Sequence, residues 1–277
     1  MLLFIEKNNA KNPLALDTRN KVMDYKELLE FDDYAMDLTI RMAHHNSAME
    51  GNRLTLGDTM SILIDRKTPI KSVSLDEVHE IENYRNFVPL ILEFLERDKI
   101  IDKHLIGHFH SVLMRNILPD FGKFKTTYNE IIGAKKPTAS PIMVQPRIND
   151  LCLKIQDEAL LNLSGEEKIK KIAEHHIEFE EIHPFSDGNG RTGRALMFYQ
   201  TIKANLTPFV IEVSARSEYM HAMREQDANT LVGIIKNCQK IELEKIKRYT
   251  AIFKERQVTK NENANDLNSA DKHNPNP

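Results

Sequence analysis

Residues 183–194 read "HPFSDGNGRTGR", and these positions carry groups suited to phosphate chemistry. His183 is the side chain whose ordinary pKa suits a base near neutral pH. Asp187 is a hard oxygen ligand of the kind that holds Mg²⁺ against phosphate oxygens. Gly188, Asn189 and Gly190 would offer backbone N–H groups at the start of a following helix, where the helix dipole also favours an anion. Arg191 and Arg194 are three apart and emerge on one side of that helix. Two guanidiniums that each fork onto a separate phosphate suit a polyphosphate better than one carboxylate. Singly, a histidine before proline is a helix cap, Asp-Gly is a turn, and helix arginines are solvated. Together they describe a polyphosphate site.

Helices must position these groups. "SGEEKIKKIAEHHIEFEEI" starts at Ser164 as N-cap and runs into the site, where Pro184 stops it; a second helix starts around Gly190 or Arg191. Upstream, "DLTIRMAHHNSAME" repeats Leu38, Met42, His45 and Met49 at helical spacing and stops at Gly51. "SVSLDEVHEIENYRNFVPLILEFLERD" opens with Ser74 and Glu77 in capping-box spacing, and Val78, Ile81, Phe87, Ile91 and Phe94 supply one apolar face. "IDKHLIGHFHSVLMRNIL" ends at Pro119, and further helices fit "SEYMHAMREQDANTLVGIIKN" and "IELEKIKRYTAIFKER". The spacing predicts an all-α helical bundle. One exception is 121–147, whose apolar runs around Ile131 and Met143 flank a Gly/Lys/Pro/Ser stretch and read as a β-hairpin flap. Residues 1–36 read as an N-terminal arm, 37–256 as one domain and 257–277 as a disordered polar tail.

The motif HxFx[D/E]GNGRxxR is met at every specified position, and on it the chain resembles the Fic family. The likeness extends over roughly residues 37–250, with "GKFK" and the hairpin in family order. It implies a Fic fold and protein adenylyl transfer: AMP passes from ATP to a Ser, Thr or Tyr hydroxyl of a target protein. His183 would take the hydroxyl proton and Asp187 would hold Mg²⁺. Gly188, Asn189 and Gly190 would form the anion hole, Asn189 touching phosphate by its side chain as well. Arg191 would bind the β-phosphate and Arg194 the γ-phosphate. Gly190 argues against the Doc-type kinases, which carry lysine there. Ile131 and Ile132 of the flap would contact the target. Downstream, Tyr219 would stack on the base, but Asp227 stands where relatives have asparagine, which leaves base preference open.

A glutamate in the last turn of a helix meets the negative end of the dipole, so Glu50 before Gly51 is either an exposed residue that tolerates a small cost or one with an arginine partner elsewhere. Autoinhibited relatives carry [S/T]xxxE[G/N], whose glutamate pairs with the second motif arginine. Here "NSAMEGN" has Asn46 four before Glu50 and Ser47 three before, either able to supply the missing hydrogen bond. The resemblance implies that Glu50 pairs with Arg194 and restrains the enzyme.

Composition narrows the classes further. The chain has 277 residues, a net charge of -3 and two cysteines, Cys152 and Cys238, without metal or disulfide spacing. We expect a cytoplasmic protein without membrane or nucleic-acid partners; self-modification and a homodimer stay open. Rival readings are removal of AMP with Glu50 orienting water, transfer of another phosphate-containing group, a catalytically silent Fic interaction module, and a metal hydrolase built on His175, His176 and His183.

Overall fold

The computed structural model describes residues 25–69, 72–130, 137–159 and 161–270, and all regular elements among them are helices. Short α1 (Tyr25–Leu29) precedes α2 (Asp32–Met49), then α3 (Leu56–Met60), which runs into a π-turn over Ser61–Asp65. Next come α4 (Leu75–Glu82), α5 (Phe87–Glu96), α6 (Lys103–Leu113), α7 (Pro141–Ala159) and α8 (Gly165–Ile182). After the motif loop follow α9 (Asn189–Lys203), α10 (Arg216–Glu225) and α11 (Ala228–Ala270). Capping boxes start three of them: Thr55 with Asp58, Ser74 with Glu77, and Ser164 with Glu167.

α9 is the axis of the bundle. It packs on α8, α6 and α2, and every residue from Arg191 to Ile202 is buried. A helix covered on all sides shows no amphipathic stripe. Phe198 and Tyr199 join a core with Leu38, Phe109, Phe179 and Phe185, while Met197 joins another with Met49, Tyr219 and Leu231. The two motif arginines therefore begin inside the protein. No helix among the described residues is long and apolar enough to cross a membrane.

Three expectations need correction. The apolar stretch from Ser74 is not one helix: a 3-10 turn at Asn83–Asn86 separates α4 from α5. Pro89 has no N–H for the Arg85 carbonyl, and Asn83 Nδ2 donates instead to the Leu113 and Arg115 carbonyls at 2.9 Å each. The second half of the expected hairpin is the start of α7, with Val144, Ile148, Leu151 and Ile155 buried on one face. Pro141 occupies the first helical position, where its missing N–H costs nothing, so the prolines there were a helix start and not strand punctuation. No strand occurs among the described residues, and Ile131 and Ile132 lie outside them. Finally, α11 continues to Ala270, through the first part of the expected tail. Between Gly233 and Ala270 neither glycine nor proline interrupts it, and extending a helix is far easier than starting one.

Candidate active site

α8 ends at His183, whose backbone is left-handed (φ 51°) while its N–H still reaches the Phe179 carbonyl at 3.0 Å. The loop then folds around Asn189. Its Oδ1 accepts the Phe185 N–H at 2.8 Å and its Nδ2 donates to the Phe185 carbonyl at 2.9 Å. Oδ1 and one N–H of this buried amide are thus committed to the loop, which leaves the second N–H of Nδ2 for the expected contact with phosphate. Phe185 stacks on His110 with ring centroids 3.7 Å apart. His110 Nδ1 accepts the Gly122 N–H at 2.7 Å, so its proton sits on Nε2, which donates to the Asp187 carbonyl at 3.0 Å. Burial pushes the His110 pKa down to about 4, consistent with this neutral tautomer. Gly188 caps α9 with φ 74°, and a Cβ there would come 2.5 Å from Met114 Sδ, so glycine is required twice over.

Chain segments within the expected flap, before and after residues 131–136, are tied to this loop. Lys125 N–H donates to the Pro184 carbonyl at 2.9 Å, Ala139 N–H to the Ile182 carbonyl at 3.3 Å, and Asn129 Nδ2 to the Phe185 carbonyl at 2.8 Å. Lys125 is buried and donates to Asn129 Oδ1 and Thr138 Oγ1, and burial lowers its pKa to about 8. Burial first, then the Lys125 charge, brings His183 down to about 4. The His183 ring is therefore neutral at pH 7, the form that a general base needs. Its Nδ1 lies 3.7 Å from Glu180 Oε2, a carboxyl that burial raises to about 8.

Asp187 accepts the Gly188 N–H through Oδ1 at 2.6 Å and is otherwise open, its side chain 65% exposed. A single open carboxylate fits Mg²⁺, which takes one or two carboxylates and leaves its other positions to phosphates and water. No cluster of three or more metal-binding side chains occurs among the described residues. The hydrolase histidines do not gather: His176 Nε2 meets Tyr219 OH at 2.7 Å, while His175 lies between Gln200 and Glu158.

Both arginines are buried in carboxylate company. Arg191 Nη1 donates to Glu80 Oε1 at 2.8 Å, and its Nη2 stands 3.7 Å from Asp187 Oδ2. Arg194 donates from Nε to Asn46 Oδ1 at 2.8 Å, and from Nη2 to Glu50 Oε1 at 2.7 Å and to the Asn46 carbonyl at 3.1 Å. Burial would raise the Glu50 carboxyl, but Arg194 outweighs it and the net shift is downward. In Glu80 burial wins and the shift is upward. The Glu50 carboxylate also sits over the loop: a Cβ on Gly190 would collide with its Oε1 and lie 2.9 Å from Arg194 Nη1. Gly193 faces α8 instead, where Glu180 and His176 leave no room for a Cβ.

The structure thus brings together His183, Asp187, Gly188, Asn189, Gly190, Arg191, Arg194 and Glu50. Two expected members drop out. Ser47 Oγ is buried without a partner among the described residues, and Asn46 makes the bond that was open between them. Tyr219 is 2% exposed, hydrogen-bonded to His176 and roofed by the Arg194 guanidinium at 5.7 Å, so its ring has no face left for a base. Glu80, His110, Lys125 and Glu180 went unnoticed in the sequence. They lie outside the motif, and only the folded contacts single them out.

Residues 100–201 match the Fic/DOC family model, and the chain carries a Fic domain there. It is 28% identical over 213 residues to protein adenylyltransferase fic-1 of Caenorhabditis elegans, covering 76% of this chain and 41% of that protein. It is 30% identical over 203 residues to protein adenylyltransferase Fic of Drosophila grimshawi, covering 70% and 40% respectively. The chain spans about two fifths of the length of these curated relatives. A crystal structure of a Fic-domain-containing signalling protein from Bacteroides thetaiotaomicron shares the fold, with a TM-score of 0.66 at 18% identity over 79% of this chain and 88% of that one.

Proposed function

We propose that this chain is a protein adenylyltransferase that passes AMP from ATP to a hydroxyl side chain of a target protein, held in check by Glu50. The observation that carries the reading is a neutral His183 at the mouth of an amide-lined helix start that also presents two buried arginines. The two adenylyltransferase relatives support the choice of donor.

The hydroxyl oxygen attacks the α-phosphorus, the bond from that phosphorus to the bridging oxygen breaks, and pyrophosphate leaves with the electron pair. His183 receives the hydroxyl proton. Negative charge grows on the departing oxygens, where the N–H groups at the start of α9 and the two guanidiniums would stabilise it. Asp187 would hold Mg²⁺, which when bound neutralises phosphate charge. Bonds from the chain around Lys125, Asn129 and Ala139 fix these segments beside His183, suited to holding a target segment there.

In the resting protein the Glu50 carboxylate takes the guanidinium that the γ-phosphate needs and fills the space over Gly190. ATP then binds without its phosphates in the reactive arrangement. Incubating purified variants with labelled ATP and a lysate, and following label on protein, tests both halves. Glu50→Gly is expected to label more than wild type, and His183→Ala not at all. Undiminished label with His183→Ala overturns the mechanism; no gain with Glu50→Gly overturns the brake.

A further inference from the structure

Glu80 is hydrogen-bonded to a motif arginine from a helix far from the motif, and it grips that arginine differently from the way Glu50 grips its own. Glu80 Oε1 takes only Nη1 of Arg191. Nε of Arg191 is buried without a hydrogen-bond partner among the described residues, and Nη2 has only the Asp187 carboxylate at 3.7 Å. Nε and Nη2 form the guanidinium edge that forks onto two oxygens. No hydrogen bond among the described residues closes that edge.

Glu80 is itself anchored. Its Oε2 accepts from Asn52 Nδ2 at 2.7 Å, the same amide that donates to the Glu77 carbonyl at 3.0 Å. Asn52 Oδ1 in turn accepts the Leu54 N–H at 2.9 Å. Both carboxylate oxygens of Glu80 are therefore fixed, one by the segment that follows Glu50 and one by Arg191. A competitor for phosphate would cover the forking edge, as Glu50 and Asn46 do on Arg194. Glu80 instead holds the guanidinium from behind and supplies the counter-charge that a buried arginine needs before ligand arrives.

We propose that Glu80 is a positioning residue for Arg191, turning its Nε–Nη2 edge toward the β-phosphate of the nucleotide. This rests on the nucleotide reading given above. AMP ends at the α-phosphate, so the role separates two ligands: Glu80 matters for ADP and not for AMP. A merely structural role weakens both alike.

The test is calorimetric binding of Mg²⁺-ADP and of AMP to full-length Glu50→Gly protein, with and without Glu80→Gln. Expected is about a tenfold or greater loss for ADP, the usual scale for disturbing an orienting partner, with AMP affinity unchanged. Equal losses for both ligands, no change, or tighter ADP binding each overturn the proposal. If Glu80→Gln does not fold, Asn52→Ala, which releases one anchor of Glu80, is expected to give a smaller loss for ADP alone. A Glu50→Gly parent that binds neither nucleotide overturns the nucleotide reading itself, and this proposal with it.

Discussion

Arg191 and Arg194 stand three residues apart on α9, each with a side chain 3% exposed and each paired with a carboxylate at 2.7–2.8 Å. Their circumstances differ in which edge is taken. Arg194 has Nε and Nη2 closed by Asn46 and Glu50, with Nη1 left without a partner among the described residues. Arg191 has Nη1 closed by Glu80, while its forking edge makes no hydrogen bond among the described residues and meets only Asp187 at 3.7 Å. One arginine is blocked and the other is presented. The same residue type on the same helix can thus be stored or readied by the choice of nitrogen that its partner engages.

The largest test of this contrast is Glu50→Gly. It opens the forking edge of Arg194, and transfer is expected to rise about tenfold or more, the equivalent of at least ~1.4 kcal/mol of barrier. Removing one partner of a buried pair also strands the other. With Glu50 30% exposed, the expected stability loss is roughly 2 kcal/mol, below the ~3–5 kcal/mol of a fully enclosed pair. Mg²⁺-ATP should then restore more stability to the variant than to wild type, since its phosphate replaces the lost counter-charge. Thermal unfolding with and without nucleotide reads both effects. A variant stabilised no more than wild type by nucleotide breaks the comparison.

A smaller effect is expected from Asn46→Ala, which removes the acceptor of Arg194 Nε but leaves the Glu50 bond. That bond is one of three that Asn46 and Glu50 accept from the guanidinium, so transfer should rise but stay below that of Glu50→Gly. Initial rates of label transfer by the two variants side by side decide this. An Asn46→Ala protein as active as Glu50→Gly would mean that the carboxylate alone does not hold the guanidinium.

How far the sequence reaches into this site follows the same division. The motif residues were legible because their chemistry is packed into twelve consecutive positions, and the dipole mismatch at Glu50 marked it as a residue that an arginine partner would suit. Asn46 and Ser47 stayed ambiguous because a hydrogen bond depends on which side chain points along α2 toward Arg194. Glu80 was invisible: it is an ordinary glutamate on an amphipathic helix until the fold brings its carboxylate to Arg191. Tyr219 misled for the opposite reason. Its place in the pattern suggested a stacking face, while packing of α10 against α8 and α11 buried that face. In the fold, helical period and caps carried the bundle, whereas Pro141 looked like strand punctuation until its position at the start of α7 was visible.

A different kind of effect, on pH dependence and not on transfer, lies beneath Arg194. His176 is 1% exposed, donates to or accepts from Tyr219 OH at 2.7 Å, and is held down to about 3 by burial and by the Arg194 charge. The unfolded chain has this histidine at about 6.5. Its folded pKa is the lower one, so the stability it confers is complete above pH 6.5 and is lost as pH falls from there toward 3. Between pH 7 and pH 5 the unfolded state takes up a proton that the folded state refuses, a loss of about 2 kcal/mol from this one group. Urea unfolding of wild type and His176→Gln at both pH values isolates it: the variant should start less stable but lose about 2 kcal/mol less on acidification. Equal acid losses would mean that His176 is protonated in the folded protein, placing a second positive charge beneath Arg194 that Glu50 and Glu180 would have to balance.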